Sequence, residues 1–184
     1  MDATIKSAEE RMDKSLVSLE EELAGLRSGR ASAAMFDKIR VEYYGNPTPL
    51  NQVASVSVPE PRLVVIQAWD KSVLGAIEKA IHASELSLNP SNDGKVIRIN
   101  IPPLTEERRK DIVKLAKNTA EQARVAVRNI RRDANDELKK QEKAGDISED
   151  DLKRAEERIQ SLTDAHIETI NAALEAKEHE ILEI

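Results

Sequence analysis

Apolar residues recur every seven positions near the start of the chain, with further leucines between them. The residues of this seam are Ile5, Met12, Leu16, Leu19, Leu23 and Leu26. A repeat of about 3.5 residues is typical of a helix that packs in a bundle or coiled coil. The pattern predicts a first helix over residues 3–28 that ends near Ser28-Gly29, because glycine commonly follows the last turn of a helix.

Residues 31–104 have a different pattern and contain all seven prolines and all four aromatic residues of the chain. An apolar stripe over residues 71–87 predicts a helix with Asp70 as its N-cap. Runs rich in β-branched residues predict strands on both sides of it, at Lys38–Tyr44, Val53–Val58, Leu63–Trp69 and Val96–Ile101. Turns are indicated at residues 45–47, 59–61 and 89–94. The stretch therefore predicts a small α+β domain.

Two long helices follow this stretch. The second helix of the chain is predicted over residues 106–143, with Thr105 as a candidate cap and Gly145 beyond its end. Ser148 and Asp151 predict a capping box at the start of the third. The apolar positions of the third helix are Leu152, Ile159, Leu162, Ile167, Ile170, Leu174 and Ile181.

Three amphipathic helices bury their apolar stripes by packing against one another. We therefore predict an α+β protein in which a long three-helix bundle, residues 1–30 and 105–184, carries an inserted β/α/β domain, residues 31–104. Short linkers near residues 29–32 and 102–105 favour a hinge. The candidate hinge residues are Gly29, Arg30, Ala31, Pro102, Pro103, Leu104 and Thr105. The alternative is that the glycine and the prolines only shape the linkers.

Composition excludes several classes of protein. Charged residues make up 34% of the chain, whereas a globular protein averages about 25%. The absence of cysteine excludes disulfides, thiolate metal sites and a cysteine nucleophile. Four aromatic residues do not suffice for a broad base-stacking platform. No apolar run reaches the roughly 20 residues of a membrane span, and the N-terminus has no signal-peptide core, so we expect a cytoplasmic protein.

Charge is unevenly distributed along the chain, whose net charge is -6. Residues 105–132 carry nine basic and four acidic groups, whereas residues 133–184 carry seven basic and sixteen acidic groups. The acidic total therefore hides a basic segment. On a helical wheel the cations of this segment fall within an arc of roughly 100°. We call them the cationic stripe: Lys110, Lys114, Lys117, Arg124, Arg128, Arg131 and Arg132.

The wheel places the apolar residues of the same helix opposite the cationic stripe, on the side predicted to pack in the bundle. They are Ile112, Leu115, Ala116, Ala123, Ala126, Val127, Ile130, Ala134 and Leu138. The planar fork of arginine suits phosphate recognition, and spaced arginines without aromatics fit recognition of a folded RNA by its backbone and shape. The alternative is a solvated helix face that forms salt bridges with the acidic third helix.

No motif in the sequence indicates catalysis. The chain has neither of the glycine-rich phosphate loops and no serine-nucleophile motif. His82, His166 and His179 are not spaced as metal ligands, and His166 fits a bundle residue. The Glu-x-x-His pairs of a di-metal bundle are also missing. We therefore expect a protein that is not an enzyme and that has no metal or cofactor of its own.

Four runs of the sequence resemble bacterial ribosome recycling factor and follow the order of that family: Leu26–Ser32 (LRSGRAS), Val41–Leu50 (VEYYGNPTPL), Pro102–Lys110 (PPLTEERRK) and Ala123–Asn135 (ARVAVRNIRRDAN). The resemblance covers the whole chain. It implies a three-helix bundle and a smaller inserted domain in an L shape similar to that of tRNA. Members of the family bind the post-termination ribosome and touch large-subunit ribosomal RNA. Elongation factor G then acts on the bound factor and hydrolyses GTP. The two subunits separate from each other and are recycled from mRNA and deacylated tRNA.

The resemblance also implies which residues contact RNA. The candidates are Arg109, Arg128 and Arg131, with Arg27, Arg30, Arg124 and Arg132 as helpers and Lys117 from the cationic stripe. The inserted domain would face elongation factor G, and we expect a monomer without membrane association. The competing hypothesis is a helical scaffold that binds a protein partner through its charged faces. A pull-down dominated by ribosomal subunits would distinguish the two.

Overall fold

The computed structural model describes residues 1–182, which form two compact units. One unit comprises Met1–Ser28 together with the described residues from Glu106 onward, and the other comprises Gly29–Thr105. Long helices in the first unit and sheets in the second confirm the α+β fold class. Within residues 1–182, no helix is both long enough and apolar enough to cross a membrane.

The first unit is a bundle of three helices, α1 (Asp2–Ala24), α4 (Glu106–Lys143) and α5 (Glu149–Leu182), each of which contacts the other two. Short side chains along α4 allow its neighbours to approach closely, because the distance between packed helices depends on the side chains at the contact. The core is aliphatic, and its most buried members include Met12, Ala116, Ala120, Val127, Leu138, Ile159 and Ile170.

The end of α1 differs from the prediction. The helix ends at Ala24 because Gly25 follows it, and the Gly25 N–H donates to the Glu21 carbonyl at 3.1 Å in the last turn. Leu26, the final member of the seven-residue seam, lies beyond the helix and is only partly buried. The apolar spacing continues past a residue of low helix propensity, so spacing alone placed the end too late.

His166 joins α5 to α1 inside the bundle. The residue is 8% exposed. Its Nε2 lies 2.8 Å from Asp13 Oδ1 on α1, and its Nδ1 lies 2.6 Å from the Leu162 carbonyl oxygen. The prediction that His166 is a bundle residue is therefore confirmed.

A reciprocal capping box begins α5. Ser148 Oγ accepts the Asp151 N–H at 3.0 Å, and Asp151 Oδ2 accepts the Ser148 N–H at 3.1 Å. Hydrogen bonding from Ser148, first through its side chain and then through its backbone N–H, holds the pKa of the Asp151 carboxyl below its ordinary value. Two N–H groups at the end of a helix that would otherwise lack partners are satisfied in this way.

We expect Ser148→Ala to lower the free energy of unfolding of the bundle by about 1 kcal/mol, the usual effect of losing an N-cap side chain. Urea unfolding followed by circular dichroism measures the change. Ser161→Ala is the matched control, since Ser161 is exposed in the middle of the same helix and alanine is the better helix former there. Equal losses in the two variants would argue against the capping role.

Antiparallel strands form the second unit, residues 29–105, all of which the structure describes. β1 (Arg40–Tyr43) pairs with β2 (Asn46–Pro49). A second sheet has the order β3-β4-β6-β5, with strands Ala54–Glu60, Leu63–Ala68, Ile97–Asn100 and Pro90–Asn92. The helices are α2 (Leu50–Val53) and α3 (Leu74–Ala83). The separate core of this unit includes Phe36, Val64, Ile66, Ile77, Ile81, Ile97 and Ile99.

Three strands occupy residues that the sequence assigns to turns, and one of them is β3, which extends through Pro59 to Glu60. β2 and β5 both contain proline, which lacks the N–H of a central strand but is tolerated at sheet edges. Between β1 and β2, Tyr44 and Gly45 have φ values of 48° and 78°. Positive φ at both positions is the geometry of a two-residue hairpin turn. The turn was therefore predicted correctly, but the strand after it was missed.

The predicted helix over residues 71–87 is shorter in the structure. Asp70 Oδ1 accepts the Ser72 N–H at 3.0 Å, which confirms the predicted N-cap. A turn of 3-10 helix, Lys71–Val73, comes first, and α3 then ends at Ala83. The chain is extended at the next residue, Ser84. Leu86 and Leu88, which lie beyond the end of α3, therefore reach the core from a loop.

Asp93 organises the loop before β6. Its Oδ1 accepts the N–H groups of Lys95 and Val96, both at 2.9 Å, and its Oδ2 pairs with the Arg98 guanidinium. These contacts, the Val96 hydrogen bond foremost, lower the pKa of the Asp93 carboxyl from its ordinary 3.8 to about 2. The ionised form is therefore favoured in the folded unit.

We expect Asp93→Asn to destabilise the second unit at neutral pH and to match the wild type in acid. Because the folded pKa is the lower one, the contribution of ionised Asp93 is complete above the unfolded value of 3.8 and is lost as the pH falls through about 2. Urea unfolding followed by the fluorescence of Trp69, the single tryptophan, measures the difference. A difference in the free energy of unfolding between Asp93→Asn and the wild type that persists unchanged in acid would refute this prediction.

Candidate nucleic-acid interface

The cationic stripe lies beside the contact between α4 and α5 rather than opposite the packed side of α4. The buried positions of α4 are Ala116, Ala120, Ala123, Val127, Ile130, Ala134 and Leu138. At 100° per residue, the centre of this arc is roughly 110° from the centre of the stripe. Leu115, which the wheel placed among the packed residues, is 50% exposed, so that expectation is wrong. The buried residues of α4 recur every three or four positions. They cover a narrower arc of the helix than the apolar residues of the helical wheel do.

Arg124 is largely enclosed, with a side chain that is 19% exposed. Its Nε donates to Asn171 Oδ1 on α5 at 2.9 Å. Its Nη1 donates to Glu121 Oε2, one turn earlier on α4, at 2.8 Å. Two contacts in different directions therefore fix the orientation of this guanidinium.

Glu121 lies among the cations of the stripe. Its second oxygen, Oε1, is 3.5 Å from Arg128 Nη1, so one carboxylate spans two arginines. The hydrogen bond from Arg124 is the main reason that the pKa of the Glu121 carboxyl is lowered, and the charge of Arg128 adds to the effect. The side chain is therefore an anion at neutral pH.

Arg131 and Arg132 contact neutral amides. Arg131 Nη1 lies 3.4 Å from Gln160 Oε1 on α5, and Arg132 Nη1 lies 3.5 Å from Asn129 Oδ1. Both distances are at the long end for hydrogen bonds. Gln160 in turn donates to Asp164 at 2.8 Å, which keeps its oxygen turned toward Arg131. These two guanidinium groups are positioned without a neutralising carboxylate in contact, as far as residues 1–182 are concerned.

The salt bridges proposed as the alternative role of the stripe occur at its lysines. Lys117 Nζ lies 3.9 Å from Glu178 Oε1 on α5, and Lys110 Nζ lies 3.2 Å from Glu106. The pair between Lys110 and Glu106 lies within α4 and is exposed, so it contributes little to stability. Glu178 is 27% exposed, and its pair with Lys117 connects α4 to α5. Pairing with the acidic third helix thus accounts for Lys117 but not for the arginines farther along α4.

The other candidate residues lie apart from the arginines of the stripe. Arg109 is half-buried and points along the packed side of α4, about 22 Å from Arg124 at 1.5 Å per residue. Arg27 is exposed in the segment that follows α1. Arg30 is an exposed residue of the second unit. The structure therefore brings Arg124, Arg128, Arg131 and Arg132 together on two turns of α4 and leaves these three separate.

The partners on α5 were missed by the sequence analysis. Asn171 and Gln160 hold Arg124 and Arg131, and neither amide carries a charge or an apolar pattern that would mark it. One signal was available: α4 and α5 are antiparallel across the short turn at residues 144–148, so positions equally distant from that turn face each other. Matching positions in this way places Arg131 opposite Ser161, next to Gln160, but it places Arg124 opposite Glu168 and misses Asn171.

Side chains that could ligate a metal ion do not cluster in the described part of the chain. Within it, no group of three or more histidine, aspartate or glutamate side chains is placed to hold a metal ion. Open grooves of about 290 and 330 Å³ run between α1 and α4. Their linings mix small apolar side chains with polar ones, and they include the charged residues Lys14, Arg11 and Asp133.

The comparisons with known proteins agree with the resemblance in the four sequence runs. The ribosome recycling factor family model matches residues 19–182. The ribosome-recycling factor of Halalkalibacterium halodurans is 61% identical over 180 residues, which cover 98% of this chain and 97% of the relative. That of Treponema denticola is 63% identical over 178 residues, covering 97% and 96%.

Solved structures give the same result. A solution structure of ribosome recycling factor has a TM-score of 0.80 and 49% identity, covering all of this chain and 97% of its own. A second neighbour, with a TM-score of 0.65, 53% identity and 98% coverage of both chains, comes from models of the T. thermophilus ribosome recycling factor and the E. coli elongation factor G bound to the E. coli post-termination complex. The chain carrying this cationic stripe belongs to the ribosome recycling factor family.

Proposed function

We propose that this protein binds the post-termination ribosome through the cationic stripe and separates the two subunits together with elongation factor G. GTP hydrolysis by that partner drives the separation, and mRNA and deacylated tRNA are released. The observation that carries the proposal is the cluster of four arginines on one side of α4, three of which contact neutral amides. The T. thermophilus relative, described together with elongation factor G on a post-termination complex, supports the same partners.

The RNA contact in this proposal is to the backbone of large-subunit ribosomal RNA. Arg128, Arg131 and Arg132 donate to phosphate oxygens, and each neutralised phosphate releases counterions. α4 carries no aromatic residue, so stacking on unpaired bases does not contribute. The bundle supplies a rigid support, because arginines on one helix keep fixed spacings along its axis.

Arg124, Lys117, Arg27, Arg30 and Arg109 have secondary roles in the proposal. Arg124 and Lys117 already have partners on α5. The other three are assigned by the resemblance alone. Arg109 would donate from the packed side of α4, apart from the other arginines of the proposed contact.

The two compact units act as domains joined by a hinge in this proposal. The connections are Gly29, Arg30 and Ala31 on one side and residues 102–105 on the other. Gly29 has a φ of 82°, a left-handed conformation that other residues adopt only with strain. Pro102 and Pro103 restrict the second connection. The protein works as a monomer in the cytoplasm and is itself not an enzyme.

Light scattering from purified 70S post-termination complexes tests the proposed function. Adding this protein with elongation factor G and GTP should produce a rapid fall in scattering as the subunits separate. Replacing GTP by a non-hydrolysable analogue, or leaving out elongation factor G, should abolish the fall. Scattering that is unchanged by this protein under complete conditions would refute the proposal.

A further inference from the structure

Glu121 is an acidic residue among the cations of the stripe, and its carboxylate lies between two of the arginines. Its Oε2 accepts from Arg124 at 2.8 Å, while its Oε1 is 3.5 Å from Arg128. A carboxylate between two guanidinium groups occupies the position that a phosphate would take on the same pair. The RNA-binding surface therefore contains an internal competitor for its ligand.

The two contacts of Glu121 are unequal. Arg124 is enclosed and is also held from the other side by Asn171, so an RNA phosphate would have to break two good hydrogen bonds to reorient it. Arg128 is 39% exposed and its contact with Glu121 is at the limit of hydrogen bonding. Arg128 can turn to a phosphate while the pair between Glu121 and Arg124 stays intact.

We propose that Glu121 is a specificity-determining residue that withdraws Arg124 from phosphate binding and confines the contact to Arg128, Arg131 and Arg132. The inference rests on the proposed function, because it assigns roles within the RNA-binding surface. Arg124 becomes a positioning residue that holds the carboxylate, and Asn171 holds Arg124.

The physical basis is repulsion of misplaced phosphates. An RNA whose phosphates fall beside Arg128, Arg131 and Arg132 avoids the Glu121 carboxylate. A flexible single strand distributes its phosphates along the whole stripe and spends part of its bound states next to that anion. Repulsion directed at the wrong ligand improves discrimination even though it adds nothing to the affinity for the right one.

Glu121→Gln tests the inference, with poly(U) as the unstructured RNA and purified bacterial large ribosomal subunits as the structured ligand. We expect the affinity for poly(U) to rise about fivefold and its salt dependence to steepen, because one more cation becomes available to phosphate. The affinity for large subunits should change by less than about twofold. Glu10→Gln is the matched control, an identical change at an exposed position on α1, and should alter neither affinity.

The outcomes separate this inference from the proposed function. An unchanged poly(U) affinity, or an equal rise in Glu10→Gln, would overturn the specificity role. A fall in large-subunit affinity would also overturn it, since Glu121 would then serve to orient Arg128 for the correct ligand. Each of these three results leaves the proposed function standing, as long as the wild type binds large subunits and accelerates the separation of ribosomal subunits. Failure of the wild type in those two assays would instead refute the function itself.

Discussion

Arg131→Ala is expected to weaken binding to the large ribosomal subunit by about tenfold to about a hundredfold, the range of one lost charge-assisted hydrogen bond. Among residues 1–182, Arg131 has no carboxylate in contact and lies 3.4 Å from the Gln160 amide oxygen, so its charge is available to RNA. Removing one phosphate contact should also reduce the slope of log affinity against log salt by about one. Equilibrium binding to purified large subunits at several salt concentrations measures both effects.

Arg158→Ala is the matched control for this change. Arg158 is an exposed arginine of α5 only two residues from Gln160, and two residues along a helix point in different directions. We expect its loss to leave both the affinity and the salt slope nearly unchanged. Thermal unfolding of the two variants should coincide, because surface substitutions usually have small effects. Unchanged affinity of the Arg131 variant would contradict its assignment to the RNA contact.

Leu138→Ala is expected to lower the free energy of unfolding of the bundle by about 2–5 kcal/mol, through lost burial and the cavity left behind. Leu138 is completely buried between the helices. Circular dichroism at the helical band reports chiefly on the bundle, because α1, α4 and α5 contain most of the helical residues. Urea unfolding measured with this signal should therefore shift to a lower midpoint.

Leu115→Ala separates packing from helix propensity in the same experiment. Both leucines belong to α4 and both were assigned to the packed side by the helical wheel, but Leu115 is 50% exposed. We expect the Leu115 variant to remain within about 0.5 kcal/mol of the wild type, as surface substitutions usually do. Equal destabilisation by the two substitutions would mean that Leu115 packs in the bundle after all.

The fold class could be predicted from the sequence because each long helix carries its own periodic pattern and explicit end signals. Ser148 and Asp151 form the predicted capping box, and Asp70 forms the predicted cap. Predictions were wrong where a short-range signal competed with the apolar pattern. Gly25 ends α1 before Leu26, and strand β2 uses prolines that ordinarily indicate turns.

The candidate site was only partly predictable for a different reason. Helical geometry places Arg124, Arg128, Arg131 and Arg132 on one side of a helix without any knowledge of tertiary structure. Which of them is free to bind depends on side chains that arrive from α5. Arg124 lies 2.9 Å from the Asn171 amide oxygen, whereas Arg131 lies 3.4 Å from that of Gln160. The residue pattern of α4 alone does not predict these contacts with α5.

The alanines of α4 have a consequence beyond packing density. Ala116 and Ala120 are fully buried, and their size limits how far α5 stands from α4. The amides on α5 reach the guanidinium groups of α4 over that same gap. The smallest side chains of the interior thereby help to determine whether the amides of α5 can contact the guanidinium groups on the surface.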